Sequence, residues 1–167
     1  MKIGIISDTH DNLTQIKKAV KIFNQEKVEL VLHAGDFVSP FTFLEFKKLK
    51  CPLKGVFGNN DGDKLYLQEK FKGIGELCPE PYQVNINQKS IIMLHKDGLI
   101  DALAESQKYE VIIYGHTHRT DLHKIRKTLI INPGECGGWL SGKSTIALLD
   151  LENSETNIIE LSDNISA

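Results

Sequence analysis

The sequence predicts an α/β fold in which two mixed β-sheets pack face to face with helices on the outside. Three observations lead there. Strands and helices alternate through residues 2–71, hairpin-like strand pairs follow at 82–94 and 121–161, and polar residues gather just after the strands. Alternation implies parallel strands joined by helical crossovers, and in that architecture ligands bind at the carboxyl ends of the strands. Hairpins add antiparallel neighbours, so each sheet is mixed.

Residues 2–6 (KIGII) form a short apolar, β-branched run that ends at a polar loop, the pattern of a strand. Leu13, Ile16, Ala19, Val20 and Phe23 then recur at helical spacing over 13–23. The unit repeats with a strand at 29–33 (ELVLH), a helix at 41–49, a strand at 53–57 and a helix at 64–71. The rhythm changes at 82–86 and 90–94, which flank the turn-like NQK and read as an antiparallel hairpin. A helix at 99–107 and a strand at 110–114 restore the alternation. Hairpins return at 121–125 with 129–131 and at 145–151 with 156–161. The 167 residues suit one compact domain spanning 1–167, with core enough to fold unaided.

Composition removes several functional classes. With 41% hydrophobic residues, 25% charged residues and a net charge of -2, no basic field draws in nucleic acid. Cys51, Cys78 and Cys136 are odd in number and lack CxxC spacing, which argues against a disulfide framework and a zinc finger. A reducing, cytoplasmic setting is expected. Asp8 and His10 cut the first apolar run far short of a signal or membrane segment, so no membrane association is expected.

The strand ends are more informative. SDTH (7–10), HAGDF (33–37), GNND (58–61), the lone His95 and GHTH (115–118) each come directly after or at the close of a predicted strand. Together they deliver Asp8, Asp36, Asn59, His10, His95, His116 and His118. Each alone admits a bland reading: DTH as a helix cap, GD and GNND as turns, His95 as a satisfied histidine. GHTH is more specific, because two histidines two apart on an extended segment point the same way and can approach one metal. All five loops lie along one edge of an α/β fold, so the bland readings would have to hold together. A metal centre is the simpler expectation.

In this order, these motifs resemble the calcineurin-like metallophosphoesterases, whose pattern is DxH, GD, GN followed by His, H and GHxH. The length, the LHAGD form of the second motif and the stretch INPGE (131–135) are most similar to the small stand-alone phosphodiesterases of bacteria and archaea. The resemblance covers nearly the whole chain and implies a four-layer αββα sandwich. It places Asp8, His10 and His118 on one metal, Asn59, His95 and His116 on the other, and Asp36 as the bridge. Two divalent ions are implied, with manganese the family's metal for activity; the mixed oxygen and imidazole set also suits nickel, iron, cobalt or zinc. The implied reaction is hydrolysis of a small phosphodiester by direct attack of a hydroxide bridging two metals about 3.5 to 4 Å apart. A phosphomonoesterase, or a non-catalytic scaffold on the same fold like the retromer subunit, are the alternatives.

The sequence departs from the pattern twice. The family's histidine after the motif asparagine, placed to protonate the leaving oxygen, is here Asn60, and an amide cannot act as a general acid near neutral pH. Asn60 either donates to a phosphate oxygen or simply makes the turn. Lys96 stands where many members have glycine, as a surface lysine or as a cation near phosphate. His33 reads as a supporting or core group, His123 has no motif support, and Arg119 directly follows GHTH as a candidate substrate contact. The arginines that follow GD and GN in the superfamily's protein phosphatases are absent, since FVSP and GDK stand there.

The loop GECGGWLSGK (134–143) is where a homodimer contact is expected, although Trp139 reads first as an aromatic folded against the sheet. A monomeric mass by light scattering at micromolar concentration would remove the dimer.

Overall fold

The computed structural model describes residues 1–162. Its first sheet has six strands in the order β11-β10-β1-β2-β3-β4, and its second has five in the order β5-β6-β7-β9-β8, where β1 is Lys2–Ile6, β2 Leu30–His33, β3 Leu53–Val56, β4 Gly75–Cys78, β5 Tyr82–Ile86, β6 Lys89–Met93, β7 Val111–Ile113, β8 Thr120–Ile125, β9 Thr128–Pro133, β10 Thr145–Asp150 and β11 Glu155–Glu160. Strands β1 to β4 run parallel, and so do β6, β7 and β9. Antiparallel β10 and β11 extend one sheet, and antiparallel β5 and β8 edge the other, so both are mixed.

Period-two alternation decides the layers. Ile3, Ile5, Leu30 and Leu32 of the first sheet meet Ile91, Met93, Val111, Ile113, Leu129 and Ile131 of the second in a buried middle layer. Their neighbours point outward: Ile6, Val31 and Leu53 pack under α1 (Leu13–Gln25), α2 (Phe43–Phe46) and α3 (Lys64–Phe71), where Phe23, Phe46 and Phe71 are buried. Ile92, Ile112 and Ile130 pack under α4 (Ile100–Glu105). The result is helices, sheet, sheet, helix: the expected four-layer αββα sandwich. Gly4 lets α1 approach β1, because a methyl there would lie 2.6 Å from the Phe23 ring. Among the described residues no helix is long and apolar enough to cross a membrane.

Three elements differ from the sequence expectation. The helix at 41–49 is a 3-10 turn at Pro40–Thr42 followed by the four-residue α2. Pro40 starts it early, and Asn24 ends it by donating to the Lys48 carbonyl and accepting from the Lys50 amide. Helix α4 stops before Gln107, which sits at φ 55°. Strand β4 has no counterpart in the sequence expectation: GELC is four residues long, opens on glycine and lies at a sheet edge, so it has no alternation to announce it.

Candidate metal centre

Parallel strands put their carboxyl ends on one side, and the five motifs sit there. Asp8 and His10 follow β1, Asp36 follows β2, Asn59 follows β3, His95 follows β6, and His116 and His118 follow β7. Backbone hydrogen bonds tie the loops together: Asp8 N donates to Gly35 O at 3.0 Å, His10 N to Asp36 O at 3.1 Å and Gly115 N to His95 O at 3.1 Å. Asp8, His10, Asp36, His116 and His118 all have positive φ, between 41° and 67°. For non-glycine residues that conformation costs about 1 to 2 kcal/mol each. Such strain persists only where the surroundings over-determine it, and it marks functional sites.

Two sets of donors meet at Asp36. On one side, one donor atom from each of Asp8, His10, Asp36 and His118 lies within 4.8 Å of all the others. His10 Nε2 is 3.3 Å from His118 Nε2 and 3.6 Å from Asp36 Oδ2, and His118 Nε2 is 3.4 Å from Asp8 Oδ1. On the other side, His95 Nε2 lies 2.9 Å from Asn59 Oδ1 and 3.4 Å from Asp36 Oδ2. The His116 ring stands edge-on to His95, centroids 5.1 Å apart, and is exposed. The second set is therefore looser, since Asn59 and His116 are both exposed and only His95 is buried.

These residues fit divalent cations on two physical grounds. First, Asp8 and Asp36 are fully buried, yet among the described residues only histidines stand within ion-pair distance of them. A buried carboxylate is offset by hydrogen bonds, a cation or a metal; the His116 amide serves Asp8 and Asn60 serves Asp36, and a metal between the imidazoles would complete the compensation. Second, His95 Nδ1 donates to Ala34 O at 2.8 Å, so in the neutral ring Nε2 carries a lone pair aimed at Asn59 Oδ1 and Asp36 Oδ2. Three acceptors facing one another require a proton or a cation between them. The carbonyl behind His95 is the partner that metal-bound histidines commonly have.

Charge and burial compete at each of these groups. Burial pushes the Asp8 carboxyl up, with the Asp36 charge adding to it and nearby histidines opposing. Burial also acts upward on Asp36, but His95 and two hydrogen bonds from Asn60 outweigh it and hold that group well below the usual carboxylate range. His95 is raised, since Asp36 overcomes its burial.

Asn60 donates from its backbone N to Asp36 Oδ1 and from Nδ2 to Asp36 Oδ2, both at 2.8 Å. It is thus neither only a turn residue nor aimed wholly at the open cleft. His33 is fully buried, stacks on Phe37 at 3.6 Å, and lies 3.3 Å from Thr9 Oγ, which donates to the Asp36 carbonyl. Burial lowers its pKa, so it supports the loop as a neutral ring. His123 pairs with Asp121 on β8, apart from the cluster. Arg119 lines a cleft of about 650 Å³ with Asp36, Asn59, Asn60, His116 and His118. Lys96 lines a neighbouring cavity that shares Asn59.

Two supporting residues carry no local signal of their role. Buried Asp61 accepts from the backbone amides of Asp36, Val38 and Gly58 at 3.2, 2.7 and 2.7 Å, locking the second motif onto the third. Glu135, fully buried, accepts from the amides of Trp139, Leu140 and Ser141 and places Oε2 3.3 Å from His118 Nδ1, off the alignment of a hydrogen bond. Asp61 closes the GNND motif and Glu135 closes INPGE, but only their spatial partners reveal what they do. Trp139 is not folded against a sheet: it is 65% exposed, and Nε1 donates to His10 O at 3.0 Å. By gathering three successive amides, Glu135 turns this loop so that Trp139 and Leu140 project outward.

Comparison with known proteins agrees with the geometry. The model of the calcineurin-like phosphoesterase superfamily domain matches residues 1–154. The chain is 43% identical over 165 residues to a protein of Methanocaldococcus jannaschii named a phosphodiesterase, covering 96% of this chain and 99% of that one. A solved structure described as a novel archaeal phosphodiesterase superposes with a TM-score of 0.92 at 42% identity, over 96% of this chain and 100% of the other. Zinc-bound Vps29 of Entamoeba histolytica, 19% identical, shares the fold with a TM-score of 0.74 over 98% and 94% of the two chains. The chain belongs to the calcineurin-like phosphoesterase superfamily.

Proposed function

We propose that the chain is a single-domain, two-metal phosphodiesterase acting on small phosphodiesters. The observation that carries this is the pair of buried carboxylates, Asp8 and Asp36, ringed by imidazoles with no lysine or arginine against them among the described residues. Asp8, His10 and His118 would hold one cation, Asn59, His95 and His116 the other, and Asp36 would touch both. Bound there, two divalent cations supply Lewis-acid charge for phosphate oxygens and make water a nucleophile near neutral pH. Manganese is the metal proposed, from the mixed oxygen and imidazole donors and the family.

The protein's own residues do the rest. Asp36 fixes the spacing of the two donor sets, and Asp61 fixes Asp36. The Ala34 carbonyl orients His95, and the Glu135 carboxylate lies 3.3 Å behind His118 Nδ1. Asn60 directs one amide hydrogen at Asp36, which leaves the other to offer to a phosphate oxygen. Two cavities, of about 650 and 440 Å³, meet at Asn59. A diester has two arms to place and a monoester only one, so this shape favours the diester.

The test is hydrolysis of a bis(aryl) phosphodiester and the matching aryl monoester by protein stripped with a chelator and then reloaded with manganese. Activity is expected to vanish on chelation and to return with manganese, favouring the diester. Metal binding without cleavage of either ester would instead favour the scaffold reading that the Vps29 fold makes available.

A second expectation concerns Asn60. General acid catalysis is worth about 10² to 10⁴ in rate, and an amide supplies none. Turnover should therefore be slow and steeply dependent on the leaving group. Asn60→His is expected to raise the rate at least about tenfold on esters of weakly acidic alcohols, and to flatten the dependence of rate on leaving-group pKa across a series of aryl diesters. An unchanged slope would show that Asn60 does not stand in the acid's place.

A further inference from the structure

We propose that the smaller cavity beside the metal centre is a subsite for a second phosphate, carried on one ester arm of the substrate and held between Lys64 and Lys96. The proposal rests on the phosphodiesterase reading for its role, but not for its geometry. Asn59 lines both the metal cleft and this cavity, so a molecule whose phosphodiester lies in the cleft extends one arm directly into it.

The lining is charged in an unusual way. Lys64 and Lys96 flank the cavity, and among the described residues neither has an ion-pair partner in reach. Glu80 also lines it, but its Oε2 accepts from the backbone amides of His95 and Lys96. Two ammonium groups against one carboxylate leave a net charge of +1 in a protein of net charge -2. The Glu80 bonds also pin the backbone from which Lys96 projects, directly after His95.

Lys64 stands against local preference. It is the first residue of α3, in a first turn that contains no acidic residue and where the helix macrodipole disfavours a cation. Asp63 caps that end by accepting a hydrogen bond from the Tyr66 amide. The Lys64 ammonium lies 5.6 Å from the centroid of the Phe57 ring at the cavity wall, a contact typical of exposed cation–π pairs. Phe57 and Leu65 supply apolar wall for the organic part of the arm. A phosphate monoester near its second ionisation carries close to two negative charges and three acceptor oxygens, matching two ammonium donors better than a carboxylate does.

The experiment is calorimetric titration of manganese-loaded protein with adenosine 5′-monophosphate and, separately, adenosine 3′,5′-bisphosphate. Wild-type protein is expected to bind the bisphosphate about tenfold more tightly, the scale of one charge-assisted contact pair. In the double variant Lys64→Met/Lys96→Met the ratio of the two affinities should fall to near one. Lys124→Met, which removes the same kind of charge from exposed β8, should keep it. An unchanged manganese-dependent melting shift shows that the double variant is folded. A ratio near one in wild type, or a ratio that survives the double substitution, overturns the subsite. Chromogenic diester hydrolysis, run in parallel, separates the two ideas: cleavage with no bisphosphate preference removes the subsite alone, and a lysine-dependent preference without cleavage removes the phosphodiesterase reading alone.

Discussion

Asp36→Asn is expected to lower kcat/KM for an aryl phosphodiester by at least about 10³-fold, because metal charge on a phosphoryl oxygen is worth several kcal/mol in the transition state. The Asp36 carboxylate belongs to both donor sets, 3.6 Å from His10 and 3.4 Å from His95. An amide at this position keeps the volume but removes the charge between the two sets. The second readout is thermal. Manganese at 100 times its dissociation constant stabilises a protein by about 2.7 kcal/mol, which for a chain of this size raises Tm by roughly 5 to 11 °C. That rise should shrink sharply in Asp36→Asn. Retention of the full rise together with wild-type turnover would remove Asp36 from the centre.

Asp8 provides the contrast that separates metal binding from stability. Burial raises its carboxyl above the ordinary value, so without metal its ionisation is a liability that sets in as pH rises above the unfolded pKa and grows until the folded pKa is passed. Asp36 has the opposite sign: its lowered pKa contributes stability above the unfolded value, lost as pH falls toward the folded one. In chelated protein at pH 7, Asp8→Asn is therefore expected to melt higher than wild type and Asp36→Asn lower. Differential scanning calorimetry of the three stripped proteins decides it, and the reverse order would refute the charge assignment.

Asp61→Asn is the second large effect, and it falls on a residue outside the donor sets. One Asp61 oxygen accepts from Asp36 N and Gly58 N, and the other from Val38 N. An asparagine offers one oxygen and one NH₂ group, so whichever way it lies at least one buried amide faces a donor. Losing a buried hydrogen bond to a charged group and stranding its partner costs about 3 kcal/mol, or roughly 6 to 12 °C in Tm. Manganese affinity should fall about 10- to 100-fold, as when a group orienting a ligand is lost. The measurement is a melting curve and a manganese titration of the same variant. If Asp61→Asn melts within about 2 °C of wild type and binds manganese as tightly, the loop is held by something else.

The architecture is open to sequence reading because burial acts on every strand in turn. Ile3 and Ile5, Ile91 and Met93, and Leu129 and Ile131 repeat at period two, and that periodicity is local to each strand. Strand β4 escapes the same reading because GELC is short, half-exposed and begins with glycine, whose role is a close approach to the Leu53 backbone. The helix at 41–49 is shorter than its pattern suggests because its end is imposed by Asn24, on another helix. The loop of Trp139 departs from expectation for a related reason, since its course depends on the buried carboxylate of Glu135.

The α/β class, the order along the chain of every strand but β4 and the polar residues at the strands' carboxyl ends are all legible in the sequence. Each is written in neighbouring residues, as apolar periodicity or as a short motif beside a strand. Folding in three dimensions was needed to show which loops meet, that Asp36 stands between two donor sets, that Asp61 and Glu135 brace them, and that Lys64 joins Lys96 beside Asn59. Those relations link residues distant in sequence, and their energies come from burial and hydrogen-bond partners that exist only once both sheets have packed.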